Sequence, residues 1–178
     1  MTRRTAVLTF AVLALFATLA SAQNDKGKRP SPPAQTQCKF SDGKTITVDY
    51  SSPRVNGRKV FGGLVPYGQV WRTGANEATT FVTDTNLTVG GKDVPAGNYT
   101  LFTVPDKDKW VVIVSKKTGE WGIPYPEGED LTRADMNVAK TASPVENLTI
   151  GFDQTGGKCA LQISWENTVA SAEFDEKK

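Results

Sequence analysis

Five residues of types that bind or react with small molecules fall within one segment, FGGLVPYGQVWRTGANEATTF (Phe61–Phe81): Tyr67, Trp71, Arg72, Asn76 and Glu77. The aromatic rings offer flat apolar contact, while the guanidinium, carboxamide and carboxylate offer directional hydrogen bonds. Small polar ligands such as sugars and carboxylates are held by that mixture. A sixth candidate, Trp121, lies in KKTGEWGIPYPEGED, a Gly/Pro-rich loop in which an exposed ring is informative. If this loop lies beside Phe61–Phe81, the two make an aromatic-floored cleft. The same residues admit a packing account, in which Arg72 pairs with Glu77, Asn76 caps a turn and Trp71 plugs one end of the fold.

The range of reactions open to the chain is narrow, because its 178 residues include no histidine. Ser-His-Asp and Cys-His catalysis, His-ligated zinc or iron and a histidine pH switch are all excluded. No phosphate-cradling glycine loop, nucleotide fingerprint or EF-hand spacing occurs, and no metal or other cofactor is expected. What remains for acid–base work is carboxylates: Glu77, Asp49, Glu120 and Asp130 are the candidates for the pair that glycoside hydrolysis uses. Chain spacing does not bring any two of them together.

The ends of the chain bear on where it works. MTRRTAVLTFAVLALFATLASA reads as a secretory signal peptide over residues 1–22, with Arg3 and Arg4 ahead of an apolar run and Ala20-Ser21-Ala22 as the cleavage pattern. Gln23 follows in place of a lipid-accepting cysteine, so no membrane anchor is expected after cleavage. Of 21 basic and 19 acidic side chains the leader carries two basic ones, Arg3 and Arg4, so the remainder is neutral, which argues against nucleic acid as a partner. Residues 23–37, poor in large apolar side chains and rich in Pro, Lys and Gln, read as a flexible leader, with a single domain over 38–175. Cys38 and Cys159 both fall in the exported part, where a disulfide is expected. Closing a loop of about 120 residues is worth about 4–5 kcal/mol in the chain-entropy picture.

The elements that must position the candidates are strands. Short alternating runs separated by Gly, Pro, Asn and Asp recur from KTITVDYS (44–51) through ATTFVTD (78–84), NLTVGGKDVP (86–95), GNYTLFTVP (97–105) and KWVVIVSK (109–116). LTRADMNVAK (131–140), VENLTIGFD (145–153), KCALQISWEN (158–167) and TVASAEFD (168–175) follow, the last three read as a meander turning at Gln154–Gly157 and Glu166–Thr168. About eight or nine strands without a long amphipathic helix predict an all-β antiparallel sandwich, jelly-roll-like or immunoglobulin-like. PAGNYTL (95–101) has the form of a tyrosine corner, and Trp110 and Trp165 are placed as core residues. The long connection between the first two strands of this set is too apolar to be disordered and is expected to pack onto the sheet.

YSSPRVNGRKVFGGLVPYGQVWRTGANEAT, VPAGNYTLFTVP, WVVIVSK and the WG at Trp121 together closely resemble the family called domain of unknown function 2911, over Thr36 to Phe174. The resemblance implies a mostly β domain of a bacterial envelope or secreted protein, and it brings no activity, substrate or catalytic residue. Two departures stand out: Ser52 replaces a basic residue common before the proline, and the loop after Trp121 is expanded with Pro124, Pro126 and Gly128.

These observations lead to an exported or periplasmic, non-catalytic β-module that binds a small polar ligand, an envelope glycan or another partner. In it Trp71 and Tyr67 make apolar contact, Arg72 holds an anionic or hydroxyl group, and Asn76 and Glu77 fix orientation. The alternatives are a histidine-free hydrolase of envelope polysaccharide with Glu77 as acid or base, and a scaffold in which Phe61–Phe81 only packs.

Overall fold

The computed structural model describes residues 28–155 and 158–177. The segment read as a signal peptide, 1–22, and the first residues of the leader lie outside that range. Within it the alternation of apolar and polar residues becomes nine strands: β1 (Pro33–Lys39), β2 (Thr45–Ser51), β3 (Thr79–Thr83), β4 (Leu87–Val89), β5 (Lys92–Val94), β6 (Gly97–Val104), β7 (Trp110–Ser115), β8 (Asp130–Asp153) and β9 (Cys159–Glu176). They form one antiparallel sheet in the order β1-β2-β3-β6-β7-β8-β9-β4-β5, with β1 and β5 as free edges, so the sheet is not closed. The expected all-β antiparallel class is present, and the connectivity is that of a single sheet. No α-helix occurs among the described residues, and no helix there is long and apolar enough to cross a membrane.

Two boundaries differ from the reading of the sequence. β1 begins at Pro33, inside the stretch taken as leader, and pairs with β2 from Pro33↔Ser51 to Lys39↔Thr45. Its polar side chains face solvent on an edge strand, so composition gave no sign of order. Of the expected three-strand meander only the first antiparallel pairing is present, between β8 and β9. Residues 131–140 and 145–153 are one strand of 24 residues, and 158–167 and 168–175 are one of 18, so Glu166–Thr168 is not a turn. The β8–β9 register shifts between Lys140 and Val145 and again before Thr149, and Glu166 takes φ +55° opposite Val145. A bulge therefore absorbs the break in alternation that resembled a turn.

These long strands carry the sheet around on itself. Cys38 of β1 is bonded to Cys159 at the start of β9 across 121 residues of chain, as expected from the cysteine count. Further along the strands the Tyr50 hydroxyl accepts from Ile150 N (3.1 Å), the Ser52 hydroxyl donates to Leu148 O (2.7 Å), and Leu148 N donates to Pro53 O (2.9 Å). Inside the curl lie Ile46, Val48, Phe81, Leu101, Leu161, Ile163 and Phe174, all fully buried, with Phe81 and Phe174 in ring contact at 4.9 Å. Trp110 and Trp165 join this core, as placed. The tyrosine corner is present too, since the Tyr99 hydroxyl donates to Pro95 O at 2.9 Å.

β6 and β7 are buried on both faces. Leu101, Val112 and Val114 point into the main core, whereas Phe102 and Ile113 form a second cluster with Ala78 on the outer face. Val70 and Tyr125 cover that cluster. The Tyr125 loop and the Val70–Ala78 end of the long connection are therefore laid against the outside of β6–β7, whereas Val60, Phe61 and Val65 of that connection enter the main core.

An open sheet curled by long strands depends on what holds its ends together. Cys38→Ser with Cys159→Ser is expected to lower the free energy of unfolding by about 4 kcal/mol, read from urea midpoints against wild type in oxidising buffer. A loss below about 1 kcal/mol would show that the hydrogen-bonded seam alone maintains the curl.

Candidate functional site

The connection from Ser52 to Ala78 is rigid because its ring side chains enter the core. Phe61 stands edge-on to Trp110 at 4.8 Å and to Trp71 and Trp165 at 6.1 Å each. Trp71 stacks on Trp165 at 6.0 Å. Past the start of β3, Trp71 continues the ladder on β6, its N and O bonding Thr103 O and N at 2.7 and 2.9 Å. Tyr67 lies against Gly62, whose φ is +76° and whose position has no room for a side chain, since a Cβ would sit 2.5 Å from the Tyr67 ring. Tyr67 is thus a packing partner of the connection. Thr73, fully buried, adopts φ +55°, a conformation costly for a β-branched residue. Its hydroxyl lies 3.1 Å from that of Thr103, and its carbonyl accepts from Thr79 Oγ1 at 2.9 Å, which hold it there.

Trp121 comes to this connection from the other loop. Gly122 has φ +83°, and a Cβ there would meet the Cβ atoms of Ala78 and Arg72 at 3.0 Å, so only glycine permits the close approach. Ala78 N donates to Glu120 O at 3.1 Å, and Arg72 Nη1 donates to Trp121 O at 3.1 Å. The Arg72 guanidinium lies over the Trp121 ring, 5.1 Å from its centroid, in cation–π contact. Burial lowers the pKa of Arg72 from its ordinary value, and the nearby Glu77 charge partly offsets this. The far end of the loop is pinned where the Tyr125 ring meets Phe102 edge-on at 5.0 Å. The Tyr125 hydroxyl donates to Asp130 Oδ1, and Arg133 Nε donates to Asp130 Oδ2 at 2.6 Å.

The chain ahead of β1 completes the site. Both Glu77 oxygens accept from Arg29 Nη1, at 2.9 and 2.8 Å. Asn76 Nδ2 donates to Ser31 O at 3.0 Å, and Ser52 N donates to Pro32 O at 2.9 Å. Glu77 therefore pairs directly with Arg29, and it acts on Arg72 through its field. Asn76, at φ +57°, ties down the incoming strap. Sequence reasoning missed Arg29 because it sits in a polar run with no periodicity.

The contact between Arg72 and Trp121 divides the surface into two clefts. One, of about 490 Å³, is lined by Arg29, Asp49, Tyr50, Glu77, Glu120 and Trp121. The other, of about 410 Å³, is lined by Arg58, Leu64, Trp71, Arg72, Ile123 and Trp165 among others, with no acidic residue among the described lining. The six candidates are thus not one constellation. Glu77 and Trp121 line the first cleft, Trp71 and Arg72 line the second, and Asn76 and Tyr67 support the connection between them. Asp130, linked to Tyr125 and Arg133, lines neither. No group of three or more Cys, Asp or Glu suited to a metal ion occurs among the described residues.

The model of a protein family of unknown function, DUF2911, matches residues 31–174. The chain belongs to this family. No curated protein and no solved structure matches it. The DUF2911 match takes in all six candidate residues and Ser31, and it begins just after Arg29.

The Tyr125 anchor yields a pH test. Burial first, and then its bond to Asp130, push the Tyr125 hydroxyl up from 10.0 to about 12. The folded state favours the protonated phenol, so this contribution is complete below pH 10 and is lost as the pH rises to about 12. The stability gap between wild type and Tyr125→Phe, from urea midpoints, is expected to shrink over that interval. A gap that stays constant would mean that the phenol proton does not hold the loop.

Proposed function

We propose that this DUF2911 protein is an exported, non-catalytic binding module that holds a neutral or amino-bearing glycan in the cleft of Trp121, Glu77 and Arg29. The observation that carries the reading is the state of Trp121. Its side chain is 53% exposed at the cleft, yet the loop is held by the Arg72 bond to its carbonyl and by the guanidinium over its ring. An exposed indole fixed in place supplies apolar contact to a sugar ring at small entropic cost, which is the advantage of a preorganised site.

The charges of the cleft narrow the ligand. Among the described lining residues, three carboxylates, Asp49, Glu77 and Glu120, stand with one guanidinium, that of Arg29, and Lys117 reaches Glu120 from outside the lining at 3.8 Å. Such a lining offers acceptors to hydroxyl and amino groups and repels acidic sugars. The volume, about 490 Å³, is within the range of small-ligand sites. Three carboxylates at one cleft are also what a hydrolase would need, but Glu77 has both oxygens on Arg29, and Asp49 accepts from Gln35 Nε2 at 2.7 Å. Binding uses these groups as they stand.

Titration calorimetry with neutral, amino-sugar and uronic-acid oligosaccharides tests the reading. Saturable binding of the first or second class is expected, weakened about tenfold or more by Trp121→Ala, a loss of about 1.4 kcal/mol. Preference for uronic acids, or indifference to Trp121→Ala, would overturn it, and bond cleavage during the titration would replace binding with the hydrolase.

A further inference from the structure

The second cleft has a different chemistry. Among the described residues its charged lining is Arg58 and Arg72, with no aspartate or glutamate. Neither guanidinium has a carboxylate within ion-pair distance among the described residues. Arg58 donates through Nε to Val55 O at 3.0 Å and through Nη2 to Arg54 O at 2.6 Å. Those bonds hold the fork in place, and Nη1 keeps no protein acceptor among the described residues. Arg72 is bound by Nη1 to a carbonyl, which does not neutralise it. Two cations sharing one concave site repel each other, and an anion between them relieves both.

The rest of the lining is apolar. Trp71 and Trp165 are stacked, and their indole N–H groups are already engaged, with Gly74 O at 3.1 Å and Glu146 O at 3.3 Å. The rings therefore meet the cleft as hydrocarbon surface. Leu64 and Ile123, 46% and 67% exposed, stand at the same cleft. They and Trp121 are the large hydrophobic residues left exposed on the described surface. Apolar walls with fixed guanidinium forks, one of them in the field of Glu77 from beyond ion-pair distance and neither paired with a carboxylate among the described residues, suit one ligand type: a carboxylate on an apolar body.

We infer that this cleft is a second binding site, which takes a small amphipathic monocarboxylate, its head between Arg58 and Arg72 and its body against Trp71, Trp165, Leu64 and Ile123. The site does not depend on the glycan reading, because Trp121, Glu77 and Arg29 line the other cleft.

Decanoate below its micellar concentration is the probe, with decanol as the same tail without charge and acetate as the head without a tail, followed by calorimetry and by tryptophan fluorescence. Decanoate is expected to saturate the full-length protein and to bind at least about tenfold more tightly than decanol or acetate. Arg58→Gln should weaken decanoate about tenfold or more and leave decanol unchanged. Ile123→Asp, at an exposed position that burdens the fold little, should weaken decanoate to the same extent. Equal affinity for decanoate and decanol would overturn the inference. So would absence of saturable binding, or decanoate affinity unchanged within about twofold in both variants while their urea midpoints match wild type.

Discussion

The contact of Phe61 with three indoles is the constraint on which both clefts rest. Edge-on aromatic pairs contribute about 0.5–1.5 kcal/mol each beyond area burial, and Phe61 makes three of them, to Trp71, Trp110 and Trp165. Trp110 belongs to β7 and Trp165 to β9, so the ring joins the connection to two strands at once. With Trp71 thereby fixed, its neighbour Arg72 has a defined position from which to meet the Trp121 loop. A long glycine-rich connection between strands is ordinarily free to move; this one is nailed at its centre by its least flexible side chains. The positive φ of Thr73 and Asn76 is tolerated for the same reason, since surroundings that over-determine a strained residue can hold it.

The curl of the sheet meets a different requirement. With β1 and β5 as free edges, ladder bonds alone do not bring β1 to β9. The Cys38–Cys159 bond and the contacts of Tyr50 and Ser52 with β8 do so, and they enclose the core. They also set the course of the chain just outside β1. Ser52 N takes Pro32 O, which directs the preceding residues across the face where Asn76 and Glu77 receive them. The strap that carries Arg29 is therefore a consequence of the seam as much as of its own salt bridge. That bridge joins side chains 33% and 45% exposed and is worth little in isolation.

Much of this was legible in the residues, in particular where a side chain has one good option. The chain's two cysteines have each other, a tyrosine after Gly97 has the carbonyl of Pro95, and Trp110 within WVVIVS has the core. Illegible features were those settled by the far side of a contact. The polar run of β1 becomes a strand because β2 offers it a ladder, and Glu166 continues a strand because Val145 opposite it admits a bulge. Proximity in sequence likewise joined Trp71, Arg72 and Glu77 into one candidate site. The docking of Gly122 against Ala78 and Arg72 separates them, and nothing local to Phe61–Phe81 announces that event.

Arg72 is the residue for which this separation matters most. Its bond to Trp121 O and its position over the indole make it the support of the acid-lined cleft, while its side chain also lines the second one. A lysine there would keep the charge but lose the planar fork that reaches a carbonyl and an aromatic face together. Removing the guanidinium withdraws the brace from Trp121 and the positive charge from the second cleft in one step. A ligand lost on substitution of Arg72 is thus consistent with either cleft. Assignment of a ligand to one side has to come from residues that belong to one side only: Trp121 and Arg29 for the first cleft, Arg58 and Ile123 for the second.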